Sequence, residues 1–582
     1  MRIYPGHDAQ ELTDKAFEVL GIDWKQQTQL ASEHLKKWDQ KDVYLITYGD
    51  SIASPKEKGL KSLHRFFDEH LKEWFTGVHI LPFHPFTSDD GFAVSDFETI
   101  REDLGDWSDI AKLSENCRVM GDLVVNHISS EHPWFTSFLE GTTPGIHYIC
   151  TANPDRDISQ VVRPRSHPLL QVFETRLGQR SVWCTFSRDQ VDLNFSNPDV
   201  FLEMLRIVLN YVRQGIRTIR LDAVGFIWKE ENSSCISLPQ AHWIVQAMRA
   251  AVTAVHPDVQ FITETNVPLP ENLSYFGDQD EAHMIYNFSL APVLAHAILS
   301  GQSSALRKCL TQMPSSPAGC AFFNFTASHD GIGLRPAENL LTDIEIARLI
   351  DHSVKMGGEV TYRQTQDQGL KAYEMNVTLA SLLRESFDHE NKKGLERFIL
   401  SQAIAMAIEG IPAIYIQSIF ACLNDRTGFE KTGMARRINR KQWGFDEAVH
   451  ALNEEPRSSS AFRQLTSLLA IRQGQPAFHP NATQYTLNLG PHLLGVWRES
   501  LLKDQNIFCV FNLSSDPRTL ILDQLNLIVT HQWHDLISHK VIEDGQSEVQ
   551  LAPYQMMWIS NKDGRLANKS KLLQTYEANM PL

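Results

Sequence analysis

The chain has 582 residues, 42% of them hydrophobic, with 54 lysines and arginines against 70 aspartates and glutamates, a net charge of −16. So acidic a protein is unsuited to a nucleic-acid surface or an anionic membrane patch, and any anionic ligand needs a local cationic pocket. The opening MRIYPGHDAQELTDKAF shows no charged segment followed by an apolar run, no later stretch is apolar for a bilayer's width, and the eight cysteines include no C-x-x-C pair, so a cytoplasmic protein with free thiols and no zinc site is expected.

In chain order, residues 1–40 read as a helical extension. Eight short β-rich apolar runs follow: DVYLITYGD (42–50), GVHILPF (77–83), RVMGDLVVNH (118–127), GIRTIRLDAV (215–224), VQFITET (259–265), MIYNF (284–288), CAFFNFTASHD (320–330) and IPAIYIQS (411–418). Segments of helical period separate them, such as VFLEMLRIVLNYVRQG and AHWIVQAMRAAVTAVH. Strands alternating with helices in this number predict an α/β fold, a (β/α)8 TIM barrel over 41–127 and 199–484. Two connections are too long to be simple loops: 128–198, rich in proline and polar residues, predicts a subdomain over the barrel mouth, and 331–390 a second insertion. After 485 the pattern changes to short strands with turn signals, which predicts a small C-terminal β-domain and tail over 485–582.

In such a barrel the polar ends of the strands form the site. Those ends carry Asp50, Asn126 with His127, Asp222, Glu264, and His329 with Asp330. A single strand-end carboxylate is as often half of a structural ion pair. Three on different strands, converging on one mouth, are costly to bury without function or cations to offset their repulsion. Arg220, two residues before Asp222, points to the same side of its strand and is expected to hold that aspartate ionised, while Glu264 is pushed up by its acidic neighbours. One ionised and one protonated carboxyl is what glycosyl transfer needs; retention through a covalent intermediate wants them about 5 Å apart.

The motifs GDLVVNH, IRLDAV, FITET and SHDGIG resemble, in order and spacing, the four short motifs of the α-amylase superfamily (glycoside hydrolase family 13), and DQVDLNFSNP resembles a fifth. TYGDS, LPFHPF, RPRSHPLL, VWCTFS, ARRINR and LAPYQMMWIS are similar to its sucrose phosphorylase-type branch. The resemblance implies Asp222 as nucleophile, Glu264 as acid/base and Asp330 as the third carboxylate. It implies a glucose subsite of Asp50, His127, Arg220, His329 and Arg436, with Phe186 as an aromatic platform and Gln190 beside it. Amylases bind calcium through the asparagine of VVNH, but this branch generally does without it, so Asn126 is expected to be a hydrogen-bonding scaffold, with no metal and no cofactor.

A phosphorylase must draw phosphate to a mouth already holding three carboxylates, which calls for arginine. RPRSHPLL supplies Arg163 and Arg165, and the resemblance assigns the phosphate contact to Arg165. The expected activity is that of a retaining α-glucoside phosphorylase with inorganic phosphate as co-substrate, acting on small carbohydrates as a monomer or homodimer; a hydrolase or transglucosidase on the same fold is the alternative class, and a non-enzymatic relative a third. Acceptor choice turns on KMGGEVTYRQTQDQGLKAYEMN, where Glu359 stands at a position expected to be basic in relatives with anionic acceptors. With Tyr373, Glu374 and Phe226 as further acceptor-side residues, Glu359 points to a neutral glucoside, 2-O-α-D-glucosylglycerol, ahead of sucrose, sucrose 6′-phosphate or glucosylglycerate.

Overall fold

The computed structural model describes residues 3–21, 37–364, 369–387, 393–528, 532–543 and 545–562. Residues 22–36 of the expected N-terminal extension, two short stretches of the second insertion and the tail from 563 lie outside them. Eight parallel strands close into a barrel: β1 (Tyr44–Thr47), β2 (Gly77–Ile80), β3 (Arg118–Val124), β4 (Ile216–Asp222), β5 (Gln260–Thr263), β6 (Met284–Tyr286), β7 (Ala321–Phe325) and β8 (Ile411–Tyr415). Each lies within one of the eight predicted runs. The seam pairs Tyr44 of β1 with Ala413 of β8. β1, β2, β5, β6, β7 and β8 are buried throughout. Covered on both faces, parallel strands can be continuously apolar, which is why they read as runs and not as alternation.

The helices wrap this cylinder. Pro198–Arg213 starts where the Asn197 side chain accepts from the Asp199 N–H and a proline holds the first turn, and it buries Val200, Met204, Leu205 and Val208. After β3, a two-stranded ladder of His127–Ser129 with Gln190–Asp192 and a hairpin of Leu170–Thr175 with Gly178–Trp183 rise over the mouth. After β7, Glu359–Gln364 and Leu370–Asn376 form a second hairpin, whose return strand also pairs with Ile332–Gly333. At the C-terminal end, a six-stranded antiparallel sheet runs from Thr483–Asn488 to Val541–Ile542 with its own apolar cluster around Phe508, Leu520 and Trp533. All eight cysteines are buried and unpaired. Among the described residues no helix is long and apolar enough to cross a membrane.

Candidate active site

At the C-terminal ends of the barrel strands lies a cavity of about 1060 Å³, its open mouth included, lined by Asp222, Glu264 and Asp330 together. Asp222 is the last residue of β4, Glu264 follows β5 directly, and Asp330 sits in the loop after β7. The turn after Asp222 is built for proximity: Ala223 takes a left-handed φ of 52°, and its N–H donates to Glu264 Oε2 at 3.0 Å. A residue with a Cβ adopts that backbone at a cost, tolerated here where it joins two carboxylate-bearing strands.

Arg220 and Asp222 do share a side: the guanidinium reaches Asp222 Oδ1 at 2.7 Å. The same Nη1 donates to Asp122 of β3, which His79 also holds at 2.6 Å, so Asp222 has only a share in its cation. Asp122 was missed by sequence reasoning. Its signal was its place two residues before Val124 in GDLVVNH, facing the same way, and in the barrel it stands beside Arg220.

This sharing corrects one expectation. Burial raises Asp222 well above the usual carboxylate range; Arg220 opposes the rise without reversing it, and Glu264 and Asp122 add to it. Burial also raises Glu264, with Arg220 against and Asp330 for. Two adjacent carboxyls both pushed up favour one proton between them. The salt bridge to Arg220 favours the negative charge on Asp222, and Glu264, whose carboxylate accepts from one backbone N–H, is the better seat for the proton. Asp330 differs: burial pushes it up, but Arg436 and Arg440 hold it far below the ordinary range. Arg436 Nη1 meets Asp330 at 2.7 Å while its Nε and Nη2 grip both oxygens of Glu374 at 2.9 and 3.1 Å. Asn439 donates to the carbonyls of Ser328 and Asp330, and Arg440 to that of His329, which pins the loop. Gly331 is needed there, because a Cβ would stand 2.8 Å from the Met375 carbonyl of the second hairpin.

The remaining wall is aromatic and hydrogen-bonding. His329 stacks on Phe92 at 5.0 Å, His127 packs against Phe186 at 5.1 Å, and Gln190 lies 3.1 Å from His127 Nε2. Burial lowers both histidines, so they are neutral imidazoles. Arg165 stands at the rim with its guanidinium 5.7 Å from the Phe186 ring and 5.5 Å from that of Tyr373. Among the described residues it makes no ion pair. His127, Arg220, His329, Arg436, Phe186, Gln190, Arg165, Tyr373 and Glu374 all line the cavity with the three carboxylates.

Three predicted residues fall elsewhere. Asp50 does not line the cavity: β1 ends at Thr47, and the turn after it carries Asp50 to Arg101 at 2.6 Å and Gln442 at 3.0 Å. The aspartate on that part of the wall is Asp89, 3.9 Å from Arg436, and neighbouring Asp90 is bound by Arg437 and Arg440. Both aspartates have positive φ, and their signal was the DD before a glycine in TSDDGF. Glu359 is 41% exposed and pairs with Arg426 at 3.2 Å in a surface cleft away from the cavity. It starts the hairpin on the side facing Arg426, so the expectation that it meets the acceptor is corrected. Phe226 lines a side chamber and not the main cavity.

Asn126 is held by an ammonium. Lys229 Nζ lies 2.9 Å from Asn126 Oδ1 and 2.8 Å from Asp192 Oδ2, both fully buried. The two oxygens that a divalent cation would need are thus taken by the chain's own cation, and the donor set does not fit calcium.

The Alpha-amylase family model, the catalytic domain, matches residues 70–330. The glucosylglycerate phosphorylase of Allomeiothermus silvanus is 41% identical over 525 residues, covering 90% of this chain and 91% of that protein. The chain belongs to the α-amylase superfamily, in its sucrose phosphorylase-type branch. It is an enzyme of the glycoside phosphorylase class found there. The glucosylglycerol phosphorylase of Marinobacter adhaerens is 27% identical over 75% of this chain and 88% of its own length. The crystal structure of sucrose 6F-phosphate phosphorylase from Thermoanaerobacter thermosaccharolyticum shares the fold, with a TM-score of 0.73 at 22% identity, covering 90% of this chain and all of that one.

Proposed function

We propose that this enzyme is a retaining glucosylglycerate phosphorylase, cleaving an α-glucoside of glycerate with phosphate to α-D-glucose 1-phosphate and glycerate. The observation that carries the acceptor is the 41% identity across 90% of the chain to a protein of that name, against 27% to a glucosylglycerol phosphorylase. The charge argument for a neutral acceptor rested on Glu359, which pairs with Arg426 outside the cavity.

Asp222 attacks the anomeric carbon while Glu264 gives its proton to the departing glycerate oxygen, leaving a β-linked glucosyl ester. Asp330, fixed by Arg436, stays ionised and binds sugar hydroxyls, its charge stabilising the oxocarbenium-like transition state. Phosphate, drawn to Arg165, then attacks from the face glycerate left, and two inversions restore the α configuration. Supplying α-glucose 1-phosphate with glycerate, glycerol, fructose or fructose 6-phosphate tests the reading. Glycerate is expected to win over the neutral glycerol and fructose in kcat/KM by about 100-fold, the worth of a charge-assisted contact that those two cannot make, and to exceed fructose 6-phosphate as well. A higher value for glycerol, fructose or fructose 6-phosphate would refute it.

No metal takes part in this scheme. Dialysis against a chelator is expected to leave the rate unchanged. Lys229→Met, which strands Asp192 buried and unpaired, is expected to cost about 3–5 kcal/mol in denaturant unfolding, the usual cost of breaking a buried pair. A loss of activity on chelation alone, or a Lys229→Met variant as stable as the parent, contradicts the assignment.

A further inference from the structure

Beside the cavity lies a side chamber of about 460 Å³, its open mouth included, which shares Phe186, Glu264, Asn266 and Tyr373 with the main cavity as common walls. Its other wall is cationic: Arg163 from the first insertion, Arg335 from the turn after β7 and Arg363 from the second hairpin. Three guanidiniums from three separate segments converge there in a protein of net charge −16. Their neutralisation is incomplete. Arg163 donates to the backbone carbonyl of His167 and, among the described residues, forms no ion pair. Burial accordingly lowers its pKa. Arg363 meets Glu338 at 3.2 Å, but that glutamate is shared with Lys371 at 2.8 Å, and Arg363 Nε is buried with no hydrogen-bond partner among the described residues. Arg335 has a carboxylate, Glu271, only at 3.9 Å. Neither Glu338 nor Glu271 lines the chamber.

We propose that this chamber seats the carboxylate of the acceptor, gripped by Arg163, Arg335 and Arg363, with Asn266 and Tyr373 receiving the acceptor's remaining hydroxyl group. The inference rests on the reading that the acceptor is glycerate. In a glycerate joined through its 2-hydroxyl, the carboxylate stands on the carbon that bears the glycosidic oxygen. Glu264 must touch that oxygen to protonate it, and Glu264 lines both spaces, so the carboxylate falls within a bond or two of the chamber. Asn266 Oδ1, buried and unpartnered among the described residues, is an acceptor awaiting a hydroxyl, and Asn266 Nδ2 lies 3.4 Å from the Tyr373 hydroxyl. The RPR segment thereby serves two anions: Arg165 faces the main cavity, where phosphate must attack, and Arg163 the chamber. Glycerol would bring no anion into the chamber and leave the neutralisation of the three guanidiniums incomplete, which explains selectivity through a cost to the wrong ligand as well as a gain to the right one.

The test measures glucosyl transfer from α-glucose 1-phosphate to glycerate and to glycerol, beside exchange of labelled phosphate into α-glucose 1-phosphate, which uses no acceptor. Arg335→Gln and Arg363→Gln are each expected to raise KM for glycerate about 30-fold, the loss of one charge-assisted hydrogen bond, while phosphate exchange stays within about threefold. Arg335→Lys and Arg363→Lys keep the charge and are expected to retain most of the preference for glycerate over glycerol. Equal glycerate use by the glutamine and lysine variants, with the parent enzyme preferring glycerate, overturns the chamber and leaves the proposed function standing. A parent enzyme that prefers glycerol removes both. Should a glutamine variant lose exchange as well, the glycerate-to-glycerol ratio of its lysine counterpart decides: a ratio near the parent's supports the chamber, and one that has collapsed overturns it.

Discussion

Asp222→Ala is expected to lower the rate of phosphorolysis by roughly five orders of magnitude, the scale on which removal of a nucleophile acts. The carboxylate is the last residue of β4, buried, with its Oδ1 on Arg220. No second carboxyl can replace it. Glu264 is tied to the Ala223 N–H, and Asp330 is locked by Arg436 across the site. Asp222→Asn is the control for folding, because it keeps the volume and an acceptor for Arg220. It should be equally inactive, with an unfolding transition close to the parent's. Because burial raises Asp222, the acid limb of the rate profile is expected above the ordinary carboxylate range: the nucleophile must be ionised, and its proton is lost later than an exposed aspartate's. Initial rates and proton NMR of the first product, which should be the α anomer, measure both claims. An Asp222→Ala variant within tenfold of the parent would be fatal to the assignment.

The barrel was legible because its signal is local. Each strand is a buried apolar run bounded by polar residues, and the closing pair, β1 with β8, follows from the count of eight. Asp222 and Glu264 stood out because one ends and the other directly follows such a run, and Asp330 because it closes the polar tail after Phe325. What escaped was set by tertiary register. Asp50 and Asp89 both follow early strands in polar turns, and only the path of the chain after Thr47 shows that Asp50 turns to Arg101 while Asp89 comes to the cavity. Asp122 looked like an interior residue of an apolar strand, and its meaning lies on the neighbouring strand, in Arg220. Glu359 was assigned by its place in a loop, yet a hairpin alternates its faces, and its face belongs to Arg426. The ammonium of Lys229 on Asn126 and the chamber's Arg163 with Arg335 join residues more than a hundred positions apart, a relation that no period in the sequence encodes.

Glu264→Gln is expected to lower turnover of the natural glucoside by about 10³-fold, while α-glucosyl fluoride, whose leaving group needs no proton, should glucosylate the enzyme at close to the parent rate. The contrast separates acid catalysis from damage to the donor pocket: a collapsed pocket would fail with both substrates, and an unimportant glutamate with neither. The same variant has a signature in stability. Burial raises Glu264 in the fold, so its contribution is complete below the unfolded-state pKa and is lost as pH rises through the folded-state value, where an uncompensated charge must form beside Asp222. Glutamine cannot ionise and escapes that loss, although it keeps a carbonyl oxygen for the Ala223 N–H. Glu264→Gln should therefore unfold at a higher temperature than the parent at about pH 8 and lose that advantage near pH 4, where both residues are neutral. A variant no more stable than the parent at the higher pH would mean that Glu264 carries no raised proton, and its part as the acid would have to pass to another group.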